Sequence, residues 1–425
     1  MTPISRRDFV SGALAATAGL AVPGGAAGAL TSVSEGVDRD ASASPGSPPR
    51  IQVRSPLPRD SHDPWIEILE ASFRHNVREI SRVAGRTPIL AVVKNNAYGL
   101  GDHVVGPLLA DMEEVTGLAC VRAHEAHVLR EAGVRKPILN MAEVTEEEAE
   151  ELARMNVHLS LWLDDAGERM DRVARRLGHP VPVHLFIDTG MGREGMPHHR
   201  ALPWMEDLAR RDSVEVDGTY QMFNHDLEFD RVQLARFQEL VGEARGRGLH
   251  LGDLHAAPTY EVFHLPEARL DMVRCAGGMW GLHPNEAARE MADLHPVFRV
   301  RARVVRVERI EAGESVGFGR AWVAGRPTWT ALLPIGHTDG FPSTAGGTSQ
   351  ALVNGRLYPI LPGTVNSAHT VLDLGEAPSV EVGDVATLMG PDNPAIHPEV
   401  VARNAGLSYF RMITGFKERM PRRLV

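Results

Sequence analysis

The chain has 425 residues, 43% of them apolar, with 45 Lys and Arg against 55 Asp and Glu for a formal net charge of −10. That length suits two domains, or one barrel with an appendage. The acidic balance, spread along the chain, argues against nucleic acid or an anionic membrane as the main partner, and two cysteines exclude a disulfide-dense scaffold.

Residues 1–29 are set apart from fold reasoning. "SRRDFVSGALAATAGLAVPGGAAGAL" pairs Arg6 with Arg7, continues into an Ala/Gly-rich apolar stretch and offers Ala27-Gly28-Ala29 as a cleavage site. The segment resembles a twin-arginine export signal, which implies a periplasmic or extracellular protein exported already folded. A basic N-terminus or an uncleaved anchor helix is the alternative. Residues 30–63 are rich in Ser, Pro and charge and read as a flexible linker. Beyond residue 30 no run approaches the roughly 20 apolar residues that span a bilayer.

A folded body is expected from residue 64. "WIEILEASFRHNVREI" reads as a short strand and an amphipathic helix. Eight strand candidates follow: "ILAVVK", "VTGLACV", "PILNM", "VHLSLW", "VPVHLFID", "VDGTYQMF", "LGDLHAA" and "LDMVRCAG". Helical segments with 3.6-residue periodicity, such as "EEEAEELARM" and "DRVQLARFQELVGEARGRG", lie between them. This alternation predicts a parallel (β/α)8 barrel over residues 64–296. Cys120 and Cys275 fall in two of these apolar strands and are expected to pack in the core. From residue 297 the pattern changes to strand alternation with turn signals such as Asn354-Gly355, predicting a mostly β domain over residues 297–425.

One strand ends on a charge. "ILAVVK" delivers Lys94 to its C-terminal tip, ahead of "NNAYGLG". Most lysines at strand ends simply reach solvent. In a barrel, however, the C-terminal rim carries the catalytic groups, and a desolvated lysine there serves as nucleophile or base. "AVVKNNAYGLG" resembles the cofactor-lysine motif of the alanine racemase family, A-V-V-K-A-N-A-Y-G-H-G. Further matches follow in order: "IDTGMGREGM", "LHAAPT", "DMVRCAGGMWG", "AGESVGFG", "PIGHTDGFP" and "GLSYFRMITGFKERMPR".

The resemblance implies a pyridoxal 5′-phosphate enzyme interconverting L- and D-amino acids, working as a head-to-tail homodimer with shared pockets. It implies that Lys94 holds the cofactor as an aldimine and acts as base on one face of the substrate. Tyr98, Thr259, Gly277 and Tyr409 would hold the phosphate, Arg274 the pyridine nitrogen, and Arg193 the phenolic oxygen. No metal is implied.

The pattern breaks where the second base should be. The family places a tyrosine in V-x-Y-G; here it is Phe318, which has no titratable proton. His337 replaces the tyrosine of P-I-G-Y-A-D-G, Ser367 and Ala368 replace a Met-Asp pair, Phe186 a lysine and Met222 the histidine of Y-T-H-F. Phe318, His337 and Ser367 are therefore expected to face the substrate, with His337 a candidate second base or a polar pocket residue. Three functions remain open: a racemase with a different second base, a lyase, aldolase or one-face epimerase using Lys94 alone, or a non-catalytic cofactor-binding protein.

Overall fold

The computed structural model describes residues 64–425, Pro378 excepted; the expected export signal and linker lie outside the described residues. Strand β1 (Trp65–Ile68) leads into helix α1 (Glu70–Val83). Phe73, Val77 and Ile80 are buried along one face of α1, each contributing about 1.5–3 kcal/mol of apolar burial. Glu70 and Arg74 pair at i,i+4 on its outer side.

The barrel strands are β2 (Ile89–Val92), β3 (Val115–Cys120), β4 (Ile138–Asn140), β5 (Val157–Leu161), β6 (Val181–Asp188), β7 (Val214–Gln221), β8 (Asp253–Pro258) and β9 (Met272–Cys275). Each pairs in parallel with the next, and β9 returns to β2, with Val273 beside Ile89 and Cys275 beside Ala91. The sheet therefore closes on itself. All four residues of β2 are buried, because a parallel barrel strand is covered on both sides. Leu90 and Val92 join Ala119, Leu139, Phe186 and Tyr220 in one apolar cluster, while Ile89 and Ala91 pack in the other, larger one. Cys120 and Cys275 are buried free thiols.

The C-terminal part carries a sheet containing β10 (Phe298–Arg303), β11 (Val385–Met389) and β12 (Arg422–Leu424). β1 belongs to this sheet and not to the barrel. It runs antiparallel to β10, with Trp65 opposite Arg301, and parallel to β12, with Ile66 opposite Arg422. The two ends of the described chain thus meet in one sheet, which ties the first helix of the barrel to the β domain. The hairpin joining residues 350–353 to 356–359 turns at Asn354 and Gly355, both at positive φ (49° and 77°) as a type I′ turn requires. Among the described residues no helix is long and apolar enough to cross a membrane.

Candidate active site

Lys94 follows β2 at the C-terminal rim of the barrel. The next four residues form a left-handed turn instead of the plain loop expected from "NNAYG". Asn95, Asn96, Ala97 and Tyr98 have φ of 58°, 56°, 49° and 54°. Each non-glycine residue in that conformation costs about 1–2 kcal/mol, so the turn must be held from outside. Glu125, buried at the start of the helix Ala123–Glu131, holds it. Its Oε1 accepts from the amides of Asn95 (2.5 Å) and Asn96 (3.4 Å), and its Oε2 from those of Val121 and Arg122, both at 3.0 Å. Trp280 Nε1 donates to the Ala97 carbonyl at 3.1 Å. Gly99 closes the turn at φ 88°, where a Cβ would lie 2.0 Å from the Ile413 carbonyl oxygen.

This clamp aims Lys94 into a cavity of about 530 Å³ at the barrel mouth. Tyr98, Arg193, Thr259, Arg274 and Gly277 line the same cavity. Phe186, Tyr220 and Met222 supply an apolar wall, with Phe186 stacked on Tyr220 at 4.4 Å between centroids. Burial pulls the Lys94 ammonium below the ordinary lysine pKa; Arg193 pushes the same way, while Glu194 and Glu125 oppose. The loop carrying Arg193 is shaped by Asp188, whose Oδ1 accepts from the amides of Gly190, Met191 and Gly192 at 2.9, 2.8 and 3.2 Å.

Arg274, on β9, is a buried cation fixed from below. Nη1 donates to His255 Nδ1 and to the His255 carbonyl, each at 3.0 Å, and Nη2 to the Gln221 carbonyl at 2.8 Å. Its guanidinium lies over the Tyr220 ring, 4.9 Å from the centroid. Desolvation lowers its pKa to about 10, so it stays charged at neutral pH. His255 Nε2 lies 2.9 Å from His184 Nδ1, and His184 Nε2 lies 3.3 Å from His158 Nδ1. Because Arg274 only donates, His255 Nδ1 must accept, so His255 Nε2–H donates to His184 Nδ1 and the tautomers of these two imidazoles are fixed.

The phosphate role expected for Tyr409 is not what its position supports. Its hydroxyl donates to the Trp280 carbonyl at 2.8 Å, and the neighbouring Phe410 lines the cavity instead. Tyr409 begins the short helix Tyr409–Ile413, which turns adjacent side chains to different sides. Phe318, His337 and Ser367 line no part of the chain's own cavity. They sit on the β domain, with Phe318 86% exposed and His337 Nε2 3.5 Å from Ser367 Oγ.

A profile of the alanine racemase N-terminal domain matches residues 68–284, and one of the alanine racemase C-terminal domain matches residues 297–424. The alanine racemase of Carboxydothermus hydrogenoformans is 31% identical over 364 residues, covering 84% of this chain and 98% of that protein. The chain belongs to the alanine racemase family. The solved alanine racemase of Streptomyces coelicolor A3(2) is 28% identical, with a TM-score of 0.75 over 85% of this chain and 98% of that one. That of Clostridium difficile 630, 22% identical, shares the fold at a TM-score of 0.80 over 85% and 95%.

Two features of the site lay beyond sequence reasoning. Glu125 stands three residues after Arg122, a spacing that signals a helix start but not a clamp on Lys94. His225 also lines the cavity, and its Nδ1 lies 2.8 Å from Oε1 of the buried Glu261. No motif links positions 36 residues apart.

Proposed function

We propose that the chain is an amino-acid racemase of the pyridoxal 5′-phosphate class, working as a homodimer. The observation that carries this reading is the desolvated Lys94, turned into one cavity with Arg274, Thr259 and Gly277. The residues present fit the cofactor. Among the described residues the Tyr98 hydroxyl and the Gly277 amide make no hydrogen bond, and the Thr259 hydroxyl, beside the Cys275 thiol, accepts from Ala276 N. Three donors near a glycine turn suit a phosphate. Arg274 suits a ring nitrogen that is to remain unprotonated.

When bound, the cofactor acts as an electron sink for negative charge at the substrate Cα. Lys94, its ammonium pKa lowered, takes up the Cα proton on one face. Arg274 keeps its own proton and is held in place by His255. Phe186, Tyr220 and Met222 keep water off one side of the site. Phe318 has no proton to give, so the opposite face needs another group, or inversion does not occur. The latter is the second reading, a one-face reaction. His337 and Ser367 are absent from the chain's own cavity, so they would act only in the cavity of another copy. The Ser-Arg-Arg segment supports export as part of the same proposal.

Incubating purified protein, reconstituted with pyridoxal phosphate, with L- and D-amino acids and separating antipodes by chiral chromatography tests the reading. Inversion of at least one amino acid is expected. Borohydride reduction and peptide mapping are expected to mark Lys94, and a label elsewhere would overturn the assignment. Deuterium uptake at Cα without inversion would favour the one-face reaction.

A further inference from the structure

We infer that His225, oriented by Glu261, is the second proton-transfer residue of this cavity, working on the substrate face opposite Lys94. The inference rests on the racemase reading and supplies the group that Phe318 lacks.

His225 lies four residues past the C-terminal end of β7, on the catalytic rim. Around the barrel β7 is three strands from β2, by way of β9 and β8, so His225 and Lys94 approach one cavity from well-separated sides. The imidazole is 48% exposed, while the Glu261 side chain is wholly buried. His225 Nδ1–H donates to Glu261 Oε1 at 2.8 Å, which leaves Nε2 as the nitrogen that gains and loses a proton. A histidine lining the cavity and oriented by a buried carboxylate is a recognised arrangement for proton transfer.

A purely structural role explains the local geometry poorly. His225 has φ 67°, an unfavourable backbone for a non-glycine residue. Glu261 Oε2 and both side-chain oxygens of Asp230 are buried, and the two carboxyls lie close enough to share a hydrogen bond when Asp230 is protonated. Asp230 and Glu261 repel, and the nearby cation-forming group is His225 itself. A strained backbone and two crowded buried carboxyls, one with its pKa raised by the other, meeting at one cavity residue are an arrangement that function retains and stability does not. The groups facing His225 are Glu261, Asp230 and the ring of Tyr260, 5.3 Å between centroids. Glu261 raises the imidazolium pKa above the ordinary histidine value, with burial opposing.

The step balances without a further reactant. For one antipode, Lys94 accepts the Cα proton as that C–H bond breaks, the electron pair remaining with the cofactor-bound substrate. The His225 imidazolium then delivers its Nε2 proton to the other face as the new C–H bond forms. Reversal exchanges the roles, and the half-exposed imidazole resets with solvent.

The test compares wild-type holoprotein with His225→Asn, His225→Gln, Glu261→Gln and His337→Asn. Asn tolerates positive φ, so folding is kept. In His225→Asn the cofactor absorbance is expected to persist, and Lys94 should still exchange the Cα proton of one antipode with deuterium. Inversion should fall by about 100-fold or more. Loss of inversion in His337→Asn, with inversion kept in His225→Asn, would give the role to His337 and overturn the inference. Nitrogen-15 NMR should place the His225 titration above an ordinary histidine in wild type and lower in Glu261→Gln, with the activity limb moving the same way. Wild-type inversion in both His225 variants would overturn this inference alone. Wild-type protein that binds cofactor but inverts no amino acid would overturn the racemase reading together with it.

Discussion

Glu125 shows how one side chain decides whether Lys94 is usable. Four amide donors converge on its carboxylate, two of them from the left-handed turn that follows the lysine. Glu125→Gln keeps the size but turns an NH2 group toward amides that themselves donate. The turn is expected to relax and cofactor retention to weaken by about tenfold or more, measured by visible absorbance during dialysis. Unchanged retention would mean that Trp280 and Gly99 hold the turn unaided. Asp230 has the opposite character. Burial and Glu261 raise its pKa to about 6, so the folded protein holds a proton that the unfolded chain has released. The stability it contributes is fully present below its unfolded pKa near 4 and is lost as pH rises through about 6. Asp230→Asn is therefore expected to be more stable than wild type at pH 7.5 by about 2 kcal/mol, the difference closing below pH 4. Thermal melts across that range check it, and a pH-independent difference would contradict the assignment.

The eight barrel strands were legible because each is a short apolar run with helical periodicity on either side, a signal carried by adjacent residues. What escaped depended on distant partners. β1 pairs with residues at least 230 positions away, so nothing in "WIEI" tells that it serves the C-terminal sheet. The direction of Tyr409 was not legible either, because its motif says that a tyrosine is present and not which side of a five-residue helix it faces. The aligned motif residues Lys94, Arg193, Thr259, Arg274 and Gly277 converge on one cavity, whereas the His225–Glu261 pair exists only once β7 and β8 lie side by side. Within β7, Gly218 leaves the room that the His184 ring fills; a Cβ there would lie 2.4 Å from His184 Nδ1. Gly218→Ala is expected to destabilise the fold by about 1–3 kcal/mol through overpacking and to shift the His184 and His255 nitrogen resonances together. Resonances that stay put would show that the strand yields and the imidazole chain does not depend on this glycine.

On the scale of the whole molecule, the exposed β-domain side chains bear on the proposed homodimer. Phe318 is 86% exposed and Val323, on the same hairpin, 45% exposed, while the barrel cavity of the same chain is formed without them. Large apolar groups left at the tip of a hairpin are better buried against another surface. A head-to-tail second copy would bring this hairpin, with His337 and Ser367, over the open mouth of the neighbouring barrel, which also explains why Lys94 sits in a cavity the chain leaves uncovered. Sedimentation velocity is therefore expected to find a dimer at micromolar concentration. Phe318→Asp should raise its dissociation constant by about tenfold or more, since a carboxylate replaces a ring whose burial is worth about 2 kcal/mol. A wild-type monomer that retains full inversion activity would leave each barrel self-sufficient and remove His337 from any role in the chemistry.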